Sequence, residues 1–275
     1  MTATSYLENF PYREWHAAIG RRRSRRLYQA RPVEPALLAD LEALCRDFRP
    51  FPEARAVLVA APAADVFRGA VGSYGKVKGA PAVIAFIGDT ASPHVYEKVG
   101  YTGEGLVLEA TRLGLGTCWV GGFFRPETAA RLAGVRGSEW VVAVTPVGYA
   151  AGVWSVEEKV MTGFGRTHRR RPLAELVTGP PPGAWPPWAH AALEAARLAP
   201  SALNRQPWRF RVGEEGITVA VDNLRDSYGI PRRLDCGIAM LHLELGALAA
   251  GTRGAWEFLS PPLVARFVPR HAPAP

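Results

Sequence analysis

The stretch APSALNRQPWRF, residues 199–210, decides how this chain is read. Pro200 stops the helical pattern before it, because proline lacks an N–H and its ring clashes with the preceding turn. Ser201, Asn204 and Gln206 then stand between two prolines and Trp208, and WRFRV (208–212) begins a strand. Such a turn can aim short polar side chains and backbone groups at the polar edge of a planar ligand. The same residues also serve as plain caps of a helix-to-strand connection.

Outward from that turn, WAHAALEAARLA (188–199) reads as a helix, and TGPPPGAWPP (178–187) before it is the clearest linker in the chain. Downstream come a second strand, ITVAV (217–221), and a long apolar helix, DCGIAMLHLELGALAA (235–250). On the other side of the linker, residues 11–23 form a short helix with Trp15 and Ile19 on one face. Residues 34–48 place Leu37, Leu38, Leu41, Leu44 and Phe48 at helical spacing behind Pro35, which suits a first turn. The runs AVLVAA (56–61), APAVIAFIG (80–88) and WVVAVTPVGY (140–149) are nearly continuous in apolar residues, as in strands covered on both faces. A helix over about 103–114 ends at Gly114 and Gly116. Helices alternating with buried strands predict an α/β or α+β sandwich. GYTGEGLVLEATRLGLG in the first part and LDCGIAMLHLELGALAAG in the second echo each other, so the chain divides into residues 1–177, a linker at 178–187 and a shortened second half at 188–275.

Composition bounds the rest. A chain of 275 residues with 48% hydrophobic content can bury a real core, and a charged fraction of 21% is that of a globular protein. No apolar run is long enough for a bilayer span and the first residues lack a secretory pattern, so the expected location is cytoplasmic. Three scattered cysteines, Cys45, Cys118 and Cys236, argue against a disulfide framework or a structural zinc, and no metal site is expected. The net charge of +8 suits an anionic ligand or partner.

That charge is partly clustered. Arg22-Arg23-Ser24-Arg25-Arg26 closes a helix; guanidinium groups grip phosphate bidentately, and arginines this close repel one another until an anion relieves them. A solvated basic face or a nucleic-acid contact is the other reading. HRRRPL (168–173) is a second cluster. In GLGTCWVGGF (114–123), Gly121 and Gly122 allow a backbone to approach a flat ring. No HExxH, Walker loop or GxSxG occurs, and no Rossmann fingerprint follows a strand.

Together these segments resemble the nitroreductase-like superfamily of FMN-dependent oxidoreductases. RRSRR with Y-x-x-R-P-V looks like that family's phosphate motif, APSALNRQPWRF like its second flavin motif, GLGTCWVGGF like the segment beside the ring, and HRRRPLAEL like its late basic motif. The family is normally a homodimer of α+β subunits with FMN at the interface. There the second motif follows the first by about one helix; here it lies beyond the linker. The resemblance therefore implies two half-domains fused as an intramolecular pseudo-dimer, with one composite site and one FMN per chain.

By resemblance, Arg22, Arg23, Ser24 and Arg26 take the phosphate and flavin-edge positions. Pro200, Ser201, Asn204 and Gln206 reach the ring from the other half. Trp119, Gly121 and Gly122 run along it, although many members carry an acidic residue where Gly121 stands. His168 and Arg170 match the late basic motif, and Lys76 or Lys78 a family lysine near the flavin. The implied activity passes electrons from NAD(P)H through flavin to a small aromatic or quinone-type acceptor, with no catalytic side chain required. The expected partner is that small molecule, not nucleic acid or membrane, and the expected state is a monomer or weak oligomer. The alternatives are an FMN store or sensor without turnover, and a basic nucleic-acid-binding protein.

Overall fold

Buried apolar strands need a covered sheet, and the chain supplies two. A computed structural model of the chain describes residues 5–60, 64–67, 77–152, 169–226 and 229–270. After a 3-10 turn at Tyr6–Asn9 come α1 (Tyr12–Ile19), α2 (Pro35–Asp47), β1 (Ala54–Val59), α3 (Ala64–Phe67), β2 (Ala82–Asp89), α4 (Val95–Arg112), β3 (Gly116–Thr117), α5 (Pro126–Leu132) and β4 (Glu139–Gly148). Then follow α6 (Leu173–Leu176), β5 (Val177–Thr178), α7 (Pro187–Arg197), β6 (Trp208–Gly213), β7 (Gly216–Val221), α8 (Arg232–Ala249), β8 (Arg253–Phe258) and β9 (Leu263–Arg270). This is a mixed α+β fold.

The first sheet runs β1-β2-β4-β3 and the second β5-β6-β7-β9-β8. Every described pairing is antiparallel except β5 on β6. In β2 every residue but the last is buried, which is what its continuous apolar run predicts; Ile84 sits opposite Leu58 on one side and Thr145 on the other. Val177 and Thr178, at the foot of the first part, lie beside Phe210 and Arg211 in the second sheet.

Two long helices form the centre. In α4 and α8 nearly every residue is buried, so neither shows a single apolar stripe. They cross where each has a glycine. A Cβ on Gly100 would lie 2.2 Å from the Leu234 carbonyl oxygen, and one on Gly237 would lie 2.1 Å from that of Glu97. Each glycine thus meets the residue three places before the other, the reciprocity expected of a two-fold contact. Both helices end alike, at Gly114 (φ 77°) and Gly251 (φ 81°), left-handed positions that favour glycine. Trp119 and Trp256 follow at equal distances, and the order β1-β2-β4-β3 recurs as β6-β7-β9-β8. The protein is two half-domains related by an internal pseudo-two-fold.

The structure departs from the sequence expectation in three places. The helix expected at 103–114 starts at Val95, because Gly100 and Gly103 are there for close packing and do not break it; a Cβ on Gly103 would strike the Trp119 ring at 2.4 Å. The first helix stops at Ile19, with Gly20 capping it, so the basic cluster is extended chain. Strands β8 and β9 were not anticipated, since Arg253, Glu257, Arg266 and Arg270 interrupt their apolar pattern. Among the described residues no helix is long and apolar enough to cross a membrane.

Candidate functional site

The turn after α7 is built by side chains closing on backbone. Ser201 is extended, and its Oγ accepts the Gln206 N–H at 2.9 Å. Leu203, Asn204 and Gln206 have φ of 54°, 54° and 49°, the left-handed region that costs any residue with a Cβ. From the first turn of α8, the Asp235 carboxylate accepts the Ala202 N–H at 3.1 Å and pairs with Arg205 Nε at 2.7 Å. Both side chains are buried, and burial pushes the Asp235 carboxyl up to about 6 against the pull of Arg205.

The basic segment approaches from the other half. Arg25 N–H donates to the Thr117 carbonyl at 2.8 Å and Ser24 bridges to Thr117, which clips the segment beside β3. Arg26 O accepts the Lys78 N–H, and Lys78 O accepts that of Tyr28. Arg22 is buried, with Nη1 3.5 Å from Ser24 Oγ and Nε among the described buried atoms that have no hydrogen-bond partner. Desolvation lowers its pKa, and Arg23 adds to the effect while Glu104 opposes it. Arg170 is driven down to about 10 by burial first, then by repulsion from Arg22, Arg23 and Arg197. Positive charge is concentrated here beyond what Glu104 neutralises, the electrostatics of an anion site.

Between these segments lies residues 118–123. The Cys118 N–H donates to Thr145 Oγ1 at 3.0 Å, and Val120 bridges to Val144. Trp119 rests on Phe86 at 4.5 Å and donates Nε1–H to Glu104 Oε2 at 2.7 Å. Glu104 Oε1 lies 2.9 Å from His242 Nε2, while His242 Nδ1 lies 3.1 Å from the Ala195 carbonyl. A carbonyl only accepts, so Nδ1 is the donor to Ala195 and Nε2 is the ring atom that meets the Glu104 carboxyl.

These segments line one cleft drawn from both halves. Of the residues singled out in the sequence, Ser24, Arg26, Trp119, Gly121, Gly122, Pro200 and Ser201 line it. A Cβ on Gly121 would lie 3.2 Å from the Ile230 side chain, so the bare Gly121 backbone already packs closely against Ile230 at this point of the cleft. Arg22, which is buried, the half-buried Arg170 and the exposed Arg23 form a charge cluster outside that lining. Asn204 and Gln206 are outside the lining. Asn204 Oδ1 accepts from Arg170 Nη1 at 2.7 Å and its Nδ2 donates to the Arg169 carbonyl; Gln206 Oε1 accepts the Arg171 N–H at 2.8 Å. They fasten the late basic segment to the turn. Lys76 and His168 lie outside the described residues.

The sequence reading missed Asp235, Arg205, Glu104 and His242. Its one available signal was charge inside two apolar helices, since buried charges occur only where partners meet them.

A family model described as "Putative TM nitroreductase" matches residues 14–247. A solved structure, a putative nitroreductase from Thermotoga maritima, is similar over 92% of this chain and 93% of its own, with 21% identity and a TM-score of 0.62, which shows the shared fold. An FMN-dependent nitroreductase from Clostridium difficile aligns with 56% of this chain over 98% of its own, at 18% identity and TM-score 0.42. A nitroreductase with bound FMN from Bacteroides fragilis aligns with 52% of this chain over 91% of its own, at 17% identity and TM-score 0.42. No curated protein matches the chain.

Proposed function

The chain belongs to the TM-type nitroreductase family, and from that premise we propose that its cleft holds one FMN per chain and that the protein is an NAD(P)H-dependent flavin oxidoreductase. The observation that carries the reading is a cleft lined from both halves, with the bare backbone of Gly121 and Gly122 on its wall, beside a cluster of arginines short of negative charge that includes the buried Arg22. The residues fit the group. The buried Nε of Arg22 has a donor to give, and a phosphate beside Arg22, Arg23 and Arg170 would relieve their repulsion. The strip Trp119–Gly122 and the Pro200–Ser201 turn would hold the isoalloxazine between the halves.

FMN, when bound, supplies hydride and electron transfer. The chain supplies position and field. Arg26, on the cleft wall, would favour negative charge at the edge of the ring. Trp119, held by Phe86 and Glu104, keeps one wall rigid. Phe67, Val77, Phe123 and Leu203 make the lining largely apolar, which excludes water and suits a planar acceptor such as a nitroaromatic or quinone. The burial of Arg22 speaks against a nucleic-acid role for that cluster, because a phosphate backbone is read by exposed cations.

The test is direct. Purified protein should retain FMN absorbance and oxidise NADH or NADPH when a quinone is supplied. Flavin binding without such turnover would reduce the protein to an FMN store.

A further inference from the structure

We infer that Asp235 is a positioning residue that holds the 201–206 turn in its left-handed conformation and so sets how tightly the cleft holds FMN; this rests on the cofactor reading above. The turn is strained on its own terms. Leu203, Asn204 and Gln206 all have positive φ, and of these only asparagine tolerates it well. Left-handed backbone disfavours a leucine relative to glycine by roughly tenfold. Such a conformation persists only where its surroundings over-determine it.

Asp235 is placed to do this. It is the one carboxylate among the described cleft-lining residues, and it is 2% exposed. Its oxygens lie 3.1 and 3.3 Å from Ala202 N, at the start of the strained residues, and Oδ2 lies 2.7 Å from Arg205 Nε, in their midst. Arg205 passes the restraint on, since its Nη2 donates to the Ile230 carbonyl at 3.0 Å and the Ile230 side chain packs against Gly121 on the cleft wall. One carboxylate thus ties α8, the turn and the far wall of the cleft together. It does so at a cost in desolvation, visible in its carboxyl being raised to about 6, and a purely architectural contact between helix and loop has no need of that cost.

The other half offers an internal control. Lys98 of α4 stands where Asp235 stands on α8, and its Nζ pairs with Glu53 Oε1 at 2.7 Å, on the segment leading into β1. The helix-to-loop tie is kept there with its charges reversed. Yet no residue of 48–53 is among the described residues with left-handed backbone. The tie is therefore available to the fold in general, and in the second half it restrains a turn that needs restraint.

Asp235→Asn keeps the shape but turns an NH2 toward one of two donors. FMN affinity of the apoprotein, read from quenching of FMN fluorescence, should fall by about 10- to 50-fold, and Arg205→Gln, which cuts the same tie from the turn, should act alike. Adding Leu203→Gly to Asp235→Asn should recover roughly tenfold, because glycine holds the left-handed backbone without help. In the apoprotein, backbone amides of 202–206 should exchange hydrogen faster in Asp235→Asn than in the wild type. Unchanged FMN affinity, or a loss that Leu203→Gly leaves unrepaired, overturns the proposal. Should the wild type itself bind no FMN, the cofactor reading fails, and the exchange measurement alone decides whether Asp235 holds the turn: faster exchange supports it and equal exchange refutes it.

Discussion

The cleft and its pseudo-symmetric counterpart are built on the same frame and differ in what fills them. Phe258 occupies the place after Trp256 that Gly121 occupies after Trp119. Its ring packs on Phe51 at 5.5 Å and on His94 at 5.0 Å, with Lys98 Nζ 5.6 Å above it. Where Gly121 leaves bare backbone on the wall of a cleft, the second location is filled by the protein's own rings. The basic segment has no equivalent either, because the residues before α7 are the proline-rich TGPPPGAWPP. Duplication built the scaffold twice, whereas the chemistry-bearing features occur once. Helix crossing and strand order follow from burial and are kept in both copies; the cleft with its glycine wall and the arginine cluster beside it are carried by one copy.

The largest predicted effect tests the shared frame. Gly100→Ala and Gly237→Ala each drive a methyl into the facing helix backbone, so each should cost about 3 kcal/mol or more in urea unfolding. The two costs should agree within about 1 kcal/mol if the crossing is two-fold. A large inequality would break the symmetry argument. Next, Gly121→Phe copies Phe258 onto the cleft wall. Its Cβ lies 3.2 Å from Ile230, which must give way, and its ring would occupy the cleft, so FMN affinity should fall by about 100-fold. Retained yellow colour after purification would show that the cleft is not the flavin site.

Arg22→Met separates function from stability. It removes a buried charge that lacks full compensation, so the apoprotein should be unchanged or stabilised by about 1 kcal/mol. FMN binding should weaken about tenfold or more at the same time. A loss of both would mean that the cluster serves the fold.

The smallest effect lies in the two ties. Asp235 ionises near 6 in the fold against an ordinary 3.8, so between those values the native state holds a proton that the unfolded chain lacks. The stability of the wild type relative to Asp235→Asn should therefore rise as pH falls from 7 to 4. Glu53 is shifted the other way, below its ordinary 4.5, chiefly by its hydrogen bond from Lys98. The stability of the wild type relative to Glu53→Gln should be full above that value and fade as pH falls below it. Thermal melts of the three proteins across this range check both signs; a common sign would contradict the comparison.

Much of this was legible in the chain because the cleft walls are contiguous segments. Residues 22–26, 118–123 and 200–206 each carry their chemistry locally, and the buried run of β2 announced itself. What was not legible depends on partners far away in sequence. Gly100 and Gly103 look like helix breakers until α8 and Trp119 are seen against them. Asp235 and Glu104 look like misplaced charges until Arg205, Trp119 and His242 meet them. Asn204 and Gln206 read as ligand-facing polar groups, and only the fold turns their amides onto residues 169–171.

The most direct measurement is a titration of apoprotein with FMN, followed by fluorescence and closed by counting flavin against chain concentration. One FMN per chain, lost in Gly121→Phe and unaffected by Phe258→Leu, is the predicted result. Two per chain, or none, would contradict a single composite cleft.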